Sequence, residues 1–291
     1  MKDTTRWLVG LDLQPESTGV VCLASWLATG SGPDLQAIGV HVVETGLFGY
    51  LGAHMPTILD GARERARETL NAAGTSFAAV QAVQAESAQL GLLTAAKHHR
   101  ATALLIGRWS RLGSSSLVRL GRVARRILRE LPLPVIVTPP DLHEVDIGEG
   151  PVIFASDLSE RSVAAAAFAA EIAARHGRAL VAVHVGAPQE HAALYVLDEA
   201  CKQLIEGRHR RVQAEAEAWV AKHIAGAECI VVFGAIESEV LRLAEERAAL
   251  MIVCASRGLS LAERIFASST ASNLAGHAKC PVAVVPGSPA G

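Results

Sequence analysis

Residues 250–286 read LMIVCASRGLSLAERIFASSTASNLAGHAKCPVAVVP. Leu250 to Cys254 is a short, uncharged apolar run, which is the pattern of a strand covered on both faces in a parallel sheet. Ala255, Ser256, Arg257 and Gly258 then supply small side chains and a permissive backbone where the chain leaves that strand, and Ser268-Ser269-Thr270 begins ten residues beyond Gly258. Bare backbone N–H groups, hydroxyl donors and a nearby helix N-terminus suit phosphate oxygens. A βα turn whose small-residue helix face packs on the sheet meets the same pattern, and spacing alone leaves both readings open. Pro281 to Val285 closes the stretch as a second buried strand.

Working outward, strand and helix patterns alternate along the whole chain. Strands are predicted at Trp7 to Leu11, Leu35 to Val43, Phe77 to Val83, Thr102 to Ile106 and Pro134 to Thr138. Helices are predicted over Thr18 to Ala28 after Pro15-Glu16-Ser17, over Pro56 to Ala72 and over Ser87 to His99. A second set of strands follows at Val152 to Ala155, Ala179 to Val185, Glu228 to Phe233, Leu250 to Cys254 and Pro281 to Val285. Helices at Ser159 to His176 and within Glu190 to Ile224 lie between them. This alternation predicts an α/β fold with doubly wound parallel sheets.

The two sets are a repeat. Asp12 and Asp157 stand 157 − 12 = 145 residues apart, His41 and His184 stand 184 − 41 = 143 apart, and Pro134 and Pro281 stand 281 − 134 = 147 apart. A near-constant offset at three landmarks means duplication. The expected domains are 1–140 and 150–291, with PPDLHEVDIGEG at Pro139 to Gly150 as the linker.

Composition sets bounds on function. The 291 residues suffice for two domains with their own cores, and 27 Lys and Arg against 29 Asp and Glu leave a net charge of -2, so no global attraction to nucleic acid is expected. No apolar run reaches the roughly 20 residues of a membrane span. MKDTTRWLVG enters a strand-like segment without a signal-peptide pattern, and a cytoplasmic location is expected. Cys22, Cys201, Cys229, Cys254 and Cys280 are scattered without zinc or redox spacing, so no metal site is expected.

At the end of the first strand in each repeat stands a carboxylate, Asp12 or Asp157, placed where open α/β sheets bind ligands. Ser159 and Ser162 after Asp157 suit caps for the next helix. His41 and His184 each precede a valine, Val42 or Val185, and no nucleophile accompanies either, so packing or hydrogen bonding is the expected role. Arg122, Arg125, Arg126 and Arg129 fall on one helix face, as a solvated stripe or as a dock for an acidic partner or an anion. No Walker A loop, GxSxG elbow or HExxH helix occurs, and no catalytic residue is assigned.

The stretch at 250–286 resembles the C-terminal half of the universal stress protein fold. Nucleotide-binding members of that family carry Gly, two residues, Gly, nine residues, Gly, then Ser or Thr. Gly258 and Ser269 match, while Ala255 and Ser268 replace the first and third glycines. Asp157 in VIFASDLSERS and Val185 in ALVAVHV fall at further family positions, and with the repeat the resemblance covers nearly the whole chain.

The resemblance implies a tandem universal stress protein, a regulatory or sensing module of the stress response. It implies ATP or another adenine nucleotide, with Mg where the phosphate cradle is complete. Asp157 and Val185 would lie near the nucleoside, and Ala255, Gly258, Ser268, Ser269 and Thr270 around the phosphates. In the first repeat the corresponding positions are Asp12, Val42, Gly107, Gly121 and Arg122. There Ser110 replaces the second glycine, Gly121 fits only with one extra residue, and Arg122 replaces the hydroxyl residue, so the second repeat is the expected site. The other readings are a ligand-free scaffold and a slow ATP hydrolase using Asp157 with a metal. The family also implies an intrachain pseudo-dimer through the last strands, PVIVTP and PVAVVP, with a homodimer as a further option and the protein partner unknown.

Overall fold

A computed structural model describes residues 5–14, 18–31, 35–74, 77–108, 120–187, 199–256 and 270–287. By their contacts these form two compact units, one from residues 1–147 with Ala275–Val284, the other from Gly148–Leu274 with residues 285–291.

In the first unit, β1 (Thr5–Leu11), α1 (Gly19–Ser31) and β2 (Leu35–Glu44) open the chain. A short helix α2 (Thr45–Phe48), a 3-10 stretch (Gly49–His54), α3 (Met55–Ala72), β3 (Ala79–Ala85) and α4 (Ala88–His98) follow. Then come β4 (Ala103–Gly107), α5 (Arg122–Glu130) and β5 (Val135–Thr138). The strand order is β3-β2-β1-β4-β5, with all these pairs parallel. Beside β5 lies the last strand of the chain, β10 (Val282–Val285), antiparallel in the register Val282↔Val137, Ala283↔Ile136 and Val284↔Val135.

Buried apolar residues explain the layering. Leu8, Val9, Leu104, Leu105, Val135 and Ile136 are fully enclosed, as a sheet covered on both faces requires. Helix α4 starts at Ser87, whose hydroxyl accepts from Leu90 N at 3.3 Å. The Pro139–Gly150 segment is packed, not a bare tether. Leu142 and Ile147 are buried, and a Cβ on Gly19 would lie 2.1 Å from the Pro139 carbonyl.

The second unit has β6 (Val152–Ser156), α6 (Val163–Arg175), β7 (Leu180–Gly186), α7 (Glu199–His223), β8 (Glu228–Phe233), α8 (Ile236–Glu246) and β9 (Met251–Ala255). Helix α9 (Thr270–His277) begins in this unit. The strand order is β9-β6-β7-β8, parallel throughout. Phe154 and Trp219 stack with ring centroids 5.9 Å apart, fixing α7 against the sheet.

Two helical features differ from expectation. The helix predicted over Ser159 to His176 begins as a 3-10 turn at Glu160–Ser162 before turning α-helical. No element was expected between Phe233 and Leu250, where α8 stands. Its buried Val240, Leu243 and Ala244 keep helical spacing, but the stripe is narrow within a charged segment. The predicted start of α1 at Pro15-Glu16-Ser17 lies outside the described residues.

Candidate functional site

In the second unit β6 is flanked by β7 on one side and β9 on the other. Because β6 and β9 are parallel neighbours, their C-terminal ends open on the same edge of the sheet, where α/β folds bind ligands. A cavity of about 230 Å³ lies there. Asp157 follows β6, His184 and Val185 come from β7, and Cys254 and Ala255 end β9. Ile236 and Val240 of α8 wall one part, and Thr270, Ala271 and Leu274 of α9 another. Four of the positions expected near a ligand, Asp157, Val185, Ala255 and Thr270, thus line one cavity.

Local chemistry fixes the Asp157 carboxylate. Its Oδ1 accepts from Ser159 N at 3.0 Å, from the Ser159 hydroxyl at 2.7 Å and from the buried Ser162 hydroxyl at 2.8 Å. Ser159 and Ser162 accept no cap hydrogen bond, contrary to expectation; the bond each makes is a donation that orients its hydroxyl toward Asp157. The turn needs Leu158 at φ 61, a left-handed conformation that costs about 1–2 kcal/mol in a residue with a Cβ. The three donors to one oxygen offset that strain.

His184 donates through Nδ1 to the Ser156 carbonyl at 2.9 Å. That bond sets the Nδ1–H tautomer of the neutral ring and leaves Nε2 as a lone-pair acceptor. Cys254 is not a nucleophile here: burial pushes its thiol up to about 12, so it stays protonated at physiological pH. Ala255 has no positive φ, so its Cβ adds no backbone strain where the family motif has glycine. Gly258, Ser268 and Ser269 lie outside the described residues, as does Ser110 of the first repeat.

The first repeat uses the same turn. Asp12 Oδ1 accepts from Gln14 N at 3.1 Å, Leu13 has φ 59, and His41 Nδ1 donates to the Leu11 carbonyl at 2.7 Å. Beyond this the correspondence ends. Val42 is covered by α4 so closely that a Cβ on Gly91 would lie 2.6 Å from Val42 Cγ1. Gly107 ends β4 with nothing within 4 Å of an added Cβ. Gly121 is the N-cap of α5 and donates its N–H to the Arg108 carbonyl at 2.9 Å, while Arg122 opens the helix exposed to solvent.

Arg108, a residue the sequence reading passed over, is buried at 8% exposure, and its Nη1 donates to the Ala278 carbonyl at 2.6 Å. Burial lowers its pKa, opposed by Asp141 and Cys280. Its position beside Gly107 gave no signal of burial, because arginine is normally exposed. Ile236, Val240, Ala271 and Leu274 were also missed as site residues. Only the apolar stripe of α8 announces two of them.

The fold is that of a doubly wound α/β protein with a crevice at the strand ends of its second unit. The profile of the universal stress protein family matches residues 4–139 and again 150–286, so the chain belongs to the universal stress protein family as a tandem member. It is 30% identical over 135 residues to a universal stress protein of Thermus aquaticus, covering 46% of this chain and 96% of that protein. The crystal structure of a universal stress protein from Archaeoglobus fulgidus is similar over 97% of this chain and 98% of its own, with 18% identity and a TM-score of 0.64. A universal stress protein structure from the same organism in complex with dAMP matches 47% of this chain and 97% of its own at 22% identity, with a TM-score of 0.33. Among the described residues, no helix is long and apolar enough to cross a membrane.

Proposed function

We propose that this universal stress protein is a cytoplasmic regulatory or sensing module that binds an adenine nucleotide in the crevice of its second repeat. The observation that carries this reading is the single cavity lined by Asp157, His184, Val185, Ala255 and Thr270. Val183, Val185, Ile236, Val240 and Leu274 give it apolar walls suited to a flat heteroaromatic base. His184 Nε2, the Asp157 carboxylate and the Thr270 hydroxyl offer polar groups for the ring edge and the sugar. At about 230 Å³ the cavity suits the base and sugar better than a whole triphosphate, since drug-sized ligands occupy roughly 300–1,000 Å³.

Among the described lining residues, Asp157 is the group that could offer a carboxylate oxygen to a magnesium ion beside the phosphates of a nucleotide. Its Oδ1 already serves three donors, so this carboxylate is committed to the turn. A hydrolase reading therefore has no support at this carboxylate, and binding without turnover is the preferred function.

Mass spectrometry of the nucleotides released from purified protein, joined to calorimetric titration with AMP and ATP, tests the proposal. Retained or titratable adenine nucleotide is the expected result. Protein that is empty and also fails to bind either compound at about 1 mM overturns it.

A further inference from the structure

We propose that the exposed face of α5 in the first repeat is a docking surface for the phosphodiester backbone of single-stranded nucleic acid. This is independent of the crevice in the second repeat. The whole-chain charge of -2 conceals a strong local asymmetry: the 22 residues from Arg108 to Arg129 hold seven of the 27 Lys and Arg residues and no Asp or Glu. The corresponding second-repeat helix, α9 (TASNLAGH), carries no arginine.

Four of the seven arginines are on α5. Arg122, Arg125, Arg126 and Arg129 are all exposed and recur at helical spacing on one face. Ala124 and Ile127 on the opposite face are buried at 2% and 0% exposure, so the helix is held rigidly with its arginines outward. Among the described residues, no carboxylate lies within ion-pair distance of Arg122, Arg125 or Arg126. An ordinary solvated face mixes both signs, whereas α5 carries no carboxylate before Glu130 at its end, and the Gln89 amide already donates to that carboxylate.

The chemistry favours phosphate. All four cations are arginine, whose planar fork pairs with phosphate oxygens through two hydrogen bonds and is less tightly hydrated than lysine. The row from Arg122 to Arg129 spans about 10 Å at 1.5 Å per residue, or one cation per about 3 Å. The rise of about 3.4 Å per phosphate along a nucleic-acid axis is a lower bound on the separation of successive phosphates, so a row of that length reaches more than one phosphate of the same strand. A short stripe on an exposed helix can be followed by one flexible strand without entering a groove, which is why a single strand is favoured over a duplex.

Fluorescence anisotropy with a labelled oligothymidylate of about 20 nucleotides, read between about 50 and 200 mM salt, tests this. The expected slope of log K against log salt is about −2 to −3, from about −0.7 per phosphate neutralised. Replacing all four arginines with glutamine should weaken binding at least tenfold at the lower salt and bring the slope near zero. Each single Arg→Gln change should reduce the slope by about 0.7. The four-Lys variant, with circular dichroism on each protein, controls for folding: it should keep most of the slope.

No binding by the unaltered protein at about 50 mM salt overturns the proposal. So does a slope unchanged in the glutamine variant. Competition by polyglutamate equal to that of the oligonucleotide would instead assign the face to an acidic polypeptide, and equal competition by a duplex would remove the single-strand preference.

Discussion

The two repeats share their backbone devices at the first two strand ends and part company at the fourth. Asp12 and Asp157 each accept from the N–H two residues on, across a leucine at φ 59 or 61, and His41 and His184 each donate Nδ1 to the preceding strand's terminal carbonyl. These bonds fix turns, and they persist whether or not a cavity lies beside them. At the end of the fourth strand the first repeat has Gly107 followed by a buried Arg108, and the second has Ala255 followed by a half-buried Ser256. Nearby, Gly91 of α4 packs tightly on Val42 in one repeat, while Val185, Ile236 and Val240 line open space in the other. Conserving a turn therefore does not conserve a pocket. The pocket depends on how closely the next helix approaches.

That contrast is open to direct attack. Gly91→Val should destabilise the first unit by about 1–3 kcal/mol, because the new Cβ would lie 2.6 Å from Val42 Cγ1. Val42→Ala in the same protein should recover part of the loss. Val240→Leu in the second unit adds bulk beside a cavity and should cost less than about 1 kcal/mol. Urea unfolding of all four proteins measures the difference, and equal costs in the two units would deny the packing contrast.

Next in size is the pair of aspartates. Asp157→Ala strands the buried Ser162 hydroxyl as well as freeing the turn, and should cost about 2 kcal/mol. Asp12→Ala at its more open turn should cost about 1 kcal/mol. Equal losses would mean that the serine bonds contribute nothing.

A smaller effect should appear with pH. Burial, with Arg175 and Arg178 adding to it, lowers the His176 pKa from 6.5 to about 4. Between those values the unfolded chain binds the proton and the folded one does not, so stability is full above pH 6.5 and falls as pH drops toward 4. Because the ring is only partly enclosed, the loss is about 1 kcal/mol. Melting temperatures across this range should fall less steeply in His176→Gln, and parallel curves would discount the histidine.

Much of this architecture is legible in the residues. Apolar runs such as Leu250 to Cys254, alternating with helical patterns, carry the parallel strands, and the spacing of Asp12 from Asp157 carries the duplication. The site is legible only in part. Asp157, Val185, Ala255 and Thr270 stand at strand and helix ends that topology alone brings together. Ile236 and Val240 were hidden because a cavity is a property of helix approach, which no local pattern encodes. Likewise Ser162 reads as a cap from its spacing, and only the three-dimensional turn makes it a donor to Asp157. Arg108 goes against the usual exposure of its type, so its burial could not be read from the sequence.

The central claim is that the second repeat, and not the first, holds an adenine nucleotide. Ala255 and Gly107 end corresponding strands, so a tryptophan at Ala255 fills the second-repeat crevice while one at Gly107 leaves it open. Calorimetric titration with AMP of the unaltered protein, Ala255→Trp and Gly107→Trp tests this most directly, with melting curves confirming that each is folded. Binding lost in Ala255→Trp and kept in Gly107→Trp is the predicted result; binding kept in Ala255→Trp and lost in Gly107→Trp would contradict it.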